Sequence, residues 1–320
     1  MLIVAMIGGL LWYAGFKSVM AILAKINPMY LLLSFLAYFM INVVFTIRII
    51  RVLERQGVKA TFGKTLLAQY AGMLTSDVTP GRSGYLLTPV YLKNQPIETS
   101  ASLSCIIGIQ AIEFLVKVVG GALALIFLLQ QTGISRELFW VGSIGIGLML
   151  LGGFVLAAII WSPRATAIIR RLAELKYLVR YTNRIMSKLE EFGENATKTR
   201  SAIPEITLLT LISWILKGFE WYFLGLAVGI TSVPWLGFFL MHPLITAFGF
   251  FPLTPSGIGF QESAVVGVFL LLGVNVQLAV AFAILARGLL IIEDLIGVPQ
   301  IAKSAQFGLA ATTKMVQREV

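Results

Sequence analysis

The heptapeptide Thr79-Pro80-Gly81-Arg82-Ser83-Gly84-Tyr85 returns as Thr254-Pro255-Ser256-Gly257-Ile258-Gly259-Phe260, 175 residues later (254 − 79). Thr, Pro, the sixth-position Gly and the closing aromatic coincide, and each copy breaks a strongly apolar stretch. A hydrophobic segment that is interrupted by Gly and Pro twice, in corresponding places, is the pattern of an internally repeated transporter-like fold. The chain around it is 58% hydrophobic and 12% charged, where soluble domains run at roughly 45–50% apolar and 25% charged. Several runs exceed the roughly 18 apolar residues of a membrane span, and they do not alternate as barrel strands would. We therefore expect an all-α polytopic membrane protein, with about six transmembrane helices plus two re-entrant helical hairpins in an inverted-topology repeat.

The same sequence argues against several function classes. Cys105 is the only cysteine and His242 the only histidine, so no disulfide within the chain and no His/Cys metal cluster is expected. No GxxxxGK[ST] loop occurs, and Gly257-Ile258-Gly259 alone is a weak nucleotide signal. No nucleophile–base pair is visible, so we expect no enzyme, no cofactor and no metal. A net charge of +10 would raise nucleic acid as a partner in a soluble chain. Here the positive-inside rule accounts for it, and nucleic acid is not expected. Met1–Leu11 lacks a basic leader and reads as an anchor rather than a cleaved signal.

The spans are expected at Met1–Leu23, Met29–Ile50, Ser102–Gln130, Glu137–Ser162, Ile203–Ile230 and Val276–Ile301. The whole of 1–320 reads as one membrane domain, with a first repeat at 28–130 and a second, inverted one at 204–303. Each repeat carries a hairpin, 61–98 and 234–273, that dips into the bilayer and is tolerated there only if protein encloses it or it lines a cavity. Basic residues give the orientation. Arg48, Arg51, Arg55, Lys59 and Lys64 lie in 48–64, a second group from Arg164 to Arg200 lies in 163–203, and Lys303, Lys314 and Arg318 lie in the tail. An even number of crossings separates these groups, so all three are expected on the cytoplasmic side of a multi-pass cell-membrane protein. Lys17 and Lys25 oppose this for the first span and are outnumbered. With that orientation one hairpin enters from each face. In 163–200, Ile168, Leu172, Leu175, Val179, Met186 and Leu189 recur at helical spacing among Arg and Lys. This reads either as a basic amphipathic helix on the anionic inner leaflet or as a solvated helix packed on its neighbours.

Thr is an accepted helix N-cap and Pro a good first residue, so Thr79-Pro80 and Thr254-Pro255 are expected to open the returning hairpin legs. Two helix N-termini aimed at the membrane interior would form an anion site, with Arg82 strengthening the first and Gly81, Gly84, Gly257 and Gly259 allowing tight turns and close approach of a head group. Intramembrane charges are the other candidates. Glu113 and Arg287 fall near the middle of their spans, 174 apart (287 − 113), so they could pair or share a polar cavity. Glu113 could equally pair with Lys117 at i,i+4. Lys217 and Glu220 form a similar local pair, read as structural. Asp77 and Glu262 flank the two turns, while Glu293 and Asp294 lie near a span end where snorkelling suffices.

These residues resemble the transmembrane region of the lysylphosphatidylglycerol synthase family. Its PGR-x-G-E turn is matched by Pro80-Gly81-Arg82-Ser83-Gly84-Tyr85. Its P-x-G-x-G-x-x-E run is matched by Pro255-Ser256-Gly257-Ile258-Gly259-Phe260-Gln261-Glu262, followed by Gly273-Val274 and Arg287. The family's midspan Glu looks like Glu113. Departures are Tyr85 in place of Glu, and Phe114 and Lys117 where Arg and Asp often follow. In the multiple peptide resistance proteins of this family, the membrane part moves aminoacylated lipid between leaflets and a separate domain makes that lipid. The resemblance therefore implies lipid translocation without synthesis.

The leading expectation is a flippase or scramblase-like transporter that binds an anionic or phosphate-containing head group between two hairpin tips. Thr79, Pro80, Gly81, Arg82, Gly84, Thr254, Pro255, Gly257, Gly259 and Glu262 would form the binding site. Asp77, Glu113, Lys117 and Arg287 would line or gate the path. Alternatives are a proton-coupled secondary transporter of a small anion, working through Glu113 or Glu262, and a membrane partner of a lipid-modifying enzyme acting through 163–200. Membrane lipids are the expected partners, and oligomerisation is left open.

Overall fold

The computed structural model describes residues 2–132, 136–162, 182–249 and 254–306. Nearly all of these are helical, in the order α1 (Leu2–Ala14), α2 (Phe16–Leu23), α3 (Pro28–Arg55), α4 (Phe62–Asp77), α5 (Thr99–Thr132), α6 (Arg136–Trp161), α7 (Thr182–Arg200), α8 (Ile203–Val228), α9 (Trp235–Gly249), α10 (Phe260–Leu271) and α11 (Val276–Asp294). Pro28–Arg55, Thr99–Gln130, Phe139–Trp161 and Ile203–Val228 are each long and apolar enough to cross a membrane. Their outward faces are apolar as well. Leu32, Leu36 and Met40 on α3 and Val119, Leu123 and Ile126 on α5 are between 46% and 58% exposed. Apolar side chains three and four residues apart, left uncovered on one face, are what a lipid solvent permits and water does not. The chain is an all-α polytopic membrane protein.

Two of the expected spans differ in shape. The first is not straight: α1 and α2 meet at 87°, because Gly15 takes a φ of 81° that no helix continues through. The last helix stops at Asp294, and a 3-10 turn, Leu295–Gly297, separates it from a helix over 298–306.

α3 and α8 form the central pair and run antiparallel. Asn27 N–H donates to the Ala227 carbonyl at 3.1 Å, Ser34 Oγ to the Glu220 carbonyl at 3.0 Å and Arg48 to Thr210 Oγ1 at 2.8 Å, and Arg55 pairs with Glu205. Rising numbers on one helix meet falling numbers on the other. The hairpins cross between the halves. A Cβ on Gly297, after α11, would come 2.3 Å from the Ala71 nitrogen on α4. A Cβ on Gly120, on α5, would come 2.8 Å from the Pro243 Cγ on α9. Each first hairpin leg therefore packs on the closing helix of the other half, where glycine removes the side chain that would hold them apart.

α9 contains Pro243, which has no N–H and leaves the carbonyl four residues back without its helical partner. That carbonyl, of Phe239, accepts instead from Trp214 Nε1 on α8 at 2.8 Å. A bare carbonyl in hydrocarbon would cost several kcal/mol, so the indole satisfies the group that Pro243 leaves free and ties α9 to α8. The amphipathic pattern at Ile168, Leu172, Leu175 and Val179 lies outside the described residues, as do Lys314 and Arg318. The end of α7 packs on the bundle: Thr199 is buried and accepts from Gln56 Nε2 at 2.8 Å.

Candidate functional site

The two motif copies meet tip to tip. Pro80 and Pro255 form an antiparallel bridge, and Ser256 N–H donates to the Thr79 carbonyl at 2.9 Å. Each tip is the same turn. Gly81 and Arg82 have φ of 59° and 56°, and Ser256 and Gly257 have 48° and 67°. Ser83 N–H reaches the Pro80 carbonyl at 3.3 Å, and Ile258 N–H reaches the Pro255 carbonyl at 2.9 Å. Two successive positive φ values closed by an i to i+3 bond make a type I′ turn. The 175-residue offset therefore holds in backbone angles as well as in letters.

This turn changes the role expected of Thr79 and Thr254. A helix cannot start through two left-handed residues, so neither Thr-Pro pair caps a returning leg. The first leg begins as a 3-10 turn at Ser83–Leu87 with Arg82 before it, continues through Thr88–Tyr91 and Leu92–Asn94, and never becomes one long helix. The second begins at Phe260, after Gly259. The N–H groups expected to face a ligand have protein partners. Thr79 Oγ1 accepts from Gly84 N–H at 2.7 Å and the Glu262 carboxylate accepts from Gly259 N–H at 2.6 Å. Gly84 fits because a Cβ there would lie 2.3 Å from the Thr75 carbonyl oxygen.

A cavity of about 400 Å³ lies beside the tips, rather than between them. Gly81, Arg82, Glu113, Lys117, Glu262 and Arg287 line it. Thr79, Pro80, Gly84, Thr254, Pro255, Gly257 and Gly259 build the turns, and Asp77 stands behind Arg82. Its wall also takes Lys217, Glu220 and His242. Leu86 and Val155 line it too and are 41% and 48% exposed. Apolar side chains that are themselves half-exposed thus form part of the cavity's lining.

Every cation on the wall is matched by a carboxylate. Lys117 Nζ donates to Glu113 Oε1 at 2.7 Å. Arg287 donates from Nε to Glu262 Oε1 at 2.5 Å and from its other nitrogens to Gln261 at 2.7 Å and Ser256 Oγ at 3.4 Å. α11 is thereby tied to the second tip, because Glu262 itself holds Gly259. Lys217 Nζ donates to Glu220 Oε1 at 2.7 Å and sits 4.7 Å from the Tyr38 ring centroid. Arg82 donates to Asp77 Oδ1 at 3.3 Å and to Ser76 Oγ at 3.2 Å. Glu113 and Arg287 do not pair with each other. They share the cavity, and Glu113 takes the i,i+4 partner.

Three charged residues that sequence reasoning placed at the surface or at a span end are buried instead. Arg48, counted with the surface charges of 48–64, is 1% exposed and donates to Glu113 Oε2 at 2.8 Å from behind the cavity wall. Glu293 and Asp294, assigned to a span end, are 1% and 0% exposed. Apolar neighbours gave no warning for Arg48, because a burial decision made by α5 and α8 is not written in α3. Among the described residues, no three His, Cys, Asp or Glu side chains converge to hold a metal.

A family model described as the lysylphosphatidylglycerol synthase TM region matches residues 1–295 of this chain. A UPF0104 membrane protein of Pyrococcus horikoshii is 22% identical over 297 residues, which cover 87% of this chain and 88% of that one.

Proposed function

The chain belongs to the lysylphosphatidylglycerol synthase transmembrane-region family, and from that premise we propose that it moves a lipid between membrane leaflets as a transporter, not as a catalyst of lipid synthesis. The lipid's anionic, phosphate-containing head group enters the cavity beside the paired turns, with Arg82 and Arg287 as its cationic partners and Glu113, Lys117 and Glu262 along the path. The observation that carries this reading is the cavity's mixed wall. It holds ion-paired charges inside an apolar helical domain, and its half-exposed apolar side chains, Leu86 and Val155, mark where we infer an opening toward lipid. A head group can lodge among the charges while its acyl chains stay in lipid, whereas a small soluble anion has no use for an apolar side opening. Intramembrane charges that line a cavity are functional candidates by default.

We read the two halves as an inverted-topology repeat. The antiparallel α3–α8 pair, the crossed hairpins and the identical turns support this. Such repeats put the site where the halves meet and alternate its access by rocking one half on the other. We place the protein in the cell membrane with 48–64, 163–203 and the C-terminus on the cytoplasmic side, on the strength of the basic residues there. The test is reconstitution into vesicles with fluorescent lipids of several head groups and a quencher outside. Protein-dependent quenching of inner-leaflet lipid supports the reading, and no movement across the panel sinks it.

A further inference from the structure

We propose that the buried carboxyl pair Asp77–Asp294 is a proton site, coupled to head-group binding through Arg82. The proposal rests on the lipid-transport reading and adds to it what drives the cycle. Asp77 ends α4, the first hairpin leg, and Asp294 ends α11 in the other half. They are 3% and 0% exposed, and their carboxyl groups lie within hydrogen-bonding reach of each other. Tyr38, from α3, donates its hydroxyl to Asp294, 3.0 Å from Oδ1 and 3.1 Å from Oδ2. Arg82 binds Asp77 Oδ1. Asp77 Oδ2 has no hydrogen-bond partner.

The other charged groups facing this pair do not offset it. Tyr70, also on α4, is buried near Glu293 and Asp294. Glu293 is buried with neither carboxylate oxygen hydrogen-bonded, near Lys217 and Glu220 of α8, which already bind each other. Elsewhere on the cavity wall charges balance or favour cations: Glu113 has both Arg48 and Lys117, and Glu262 has Arg287. At Asp77–Asp294 two facing carboxyl groups have a single guanidinium, bound to Asp77, and a single tyrosine hydroxyl, bound to Asp294. Like charges in a dry site cannot both ionise cheaply, so such a pair holds a proton between its members.

Arg82 is the link because it touches both places. It lines the cavity and binds Asp77 from a left-handed backbone position. When a phosphate oxygen takes the guanidinium, Asp77 loses its cation. The carboxyl pair, which held one proton, then takes a second from water in the cavity. When the head group leaves, Arg82 returns and that proton is released. One proton thus accompanies one anionic charge, and the loaded site carries no net change in charge.

Two measurements test this. The first is the infrared carbonyl band of protonated carboxyl groups, recorded on the detergent-solubilised full chain at neutral pH. The proposal expects such a band in the wild type and its loss or reduction in Asp294→Asn. An absent band, or one unchanged in Asp294→Asn, overturns the proton site. The second uses vesicles containing labelled phosphatidylglycerol and an imposed gradient of one pH unit. Coupling to one proton shifts the lipid's transbilayer ratio about tenfold, since one pH unit is a tenfold step in an equilibrium constant. Asp294→Asn should still let the lipid equilibrate, with a ratio near one. If it retains the tenfold shift, or if wild-type protein moves lipid with no response to the gradient, the coupling is wrong while the transport reading stands. If no labelled lipid moves at all, the transport reading falls, and the carbonyl band alone upholds or overturns the proton site.

Discussion

Glu113→Gln should be the most damaging single change within the Arg48–Glu113–Lys117 group, and the arrangement says by how much. The Glu113 carboxylate holds Arg48 at 2.8 Å and Lys117 at 2.7 Å, with Arg48 1% exposed. Its loss leaves two cations facing each other with no anion. Removing one partner of a buried pair costs about 3–5 kcal/mol, and unit charges 4 Å apart at an effective dielectric near 20 interact by about 4 kcal/mol, which agrees. Arg48→Met should be milder, about 1–2 kcal/mol, because Glu113 keeps Lys117 and the group becomes neutral. The double variant Arg48→Met/Glu113→Gln should cost less than the sum of the singles by about 2 kcal/mol, as residues sharing one network do not add. Denaturant unfolding of the detergent-solubilised protein, followed by tryptophan fluorescence, measures all three. If Arg48→Met proves as costly as Glu113→Gln, or the singles add, the charge accounting is wrong.

Cysteines replacing Pro80 and Pro255 should oxidise to a disulfide, since directly opposed bridge residues lie about 4.5–5.5 Å apart at Cα and a disulfide spans that distance. A peptide map without the crosslinked pair counts against the tip-to-tip contact, and Cys105 is buried and should not interfere. Gly84→Ala should destabilise by about 1–3 kcal/mol, because its Cβ meets the Thr75 carbonyl oxygen at 2.3 Å. Thermal unfolding unchanged from wild type contradicts that packing. Gly257→Ala should cost about 1–2 kcal/mol through its positive φ alone, whereas Gly267→Ala, which meets open space, should be close to neutral in the same melt. Glu262→Gln keeps one acceptor oxygen and can hold Arg287 or the Gly259 N–H but not both, and should slow lipid movement in vesicles at least roughly tenfold, the effect of losing about 1.4 kcal/mol from the working geometry. Undiminished transport argues against a role for the second tip.

The membrane class, the helical architecture and the location of the two breaks were legible in the sequence because each follows from local chemistry. Runs of apolar residues must be helical in lipid, where backbone groups have no water to bond, and Gly and Pro mark where such runs stop. Glu113, Lys117, Glu262 and Arg287 could be selected as site residues because a charge inside such a run is conspicuous on its own. Tertiary structure decided what lies next to what. Thr79 and Thr254 looked like helix caps, and only the meeting of the two tips accounts for their place in paired turns, whose N–H groups bond to protein. Arg48, Glu293 and Asp294 carried the same local signal as ordinary span-end charges. Their burial depends on α4, α5 and α8 arriving from distant parts of the chain. Charge type can be read one residue at a time, but charge balance in a dry site is a property of neighbours, and here the fold chose the neighbours.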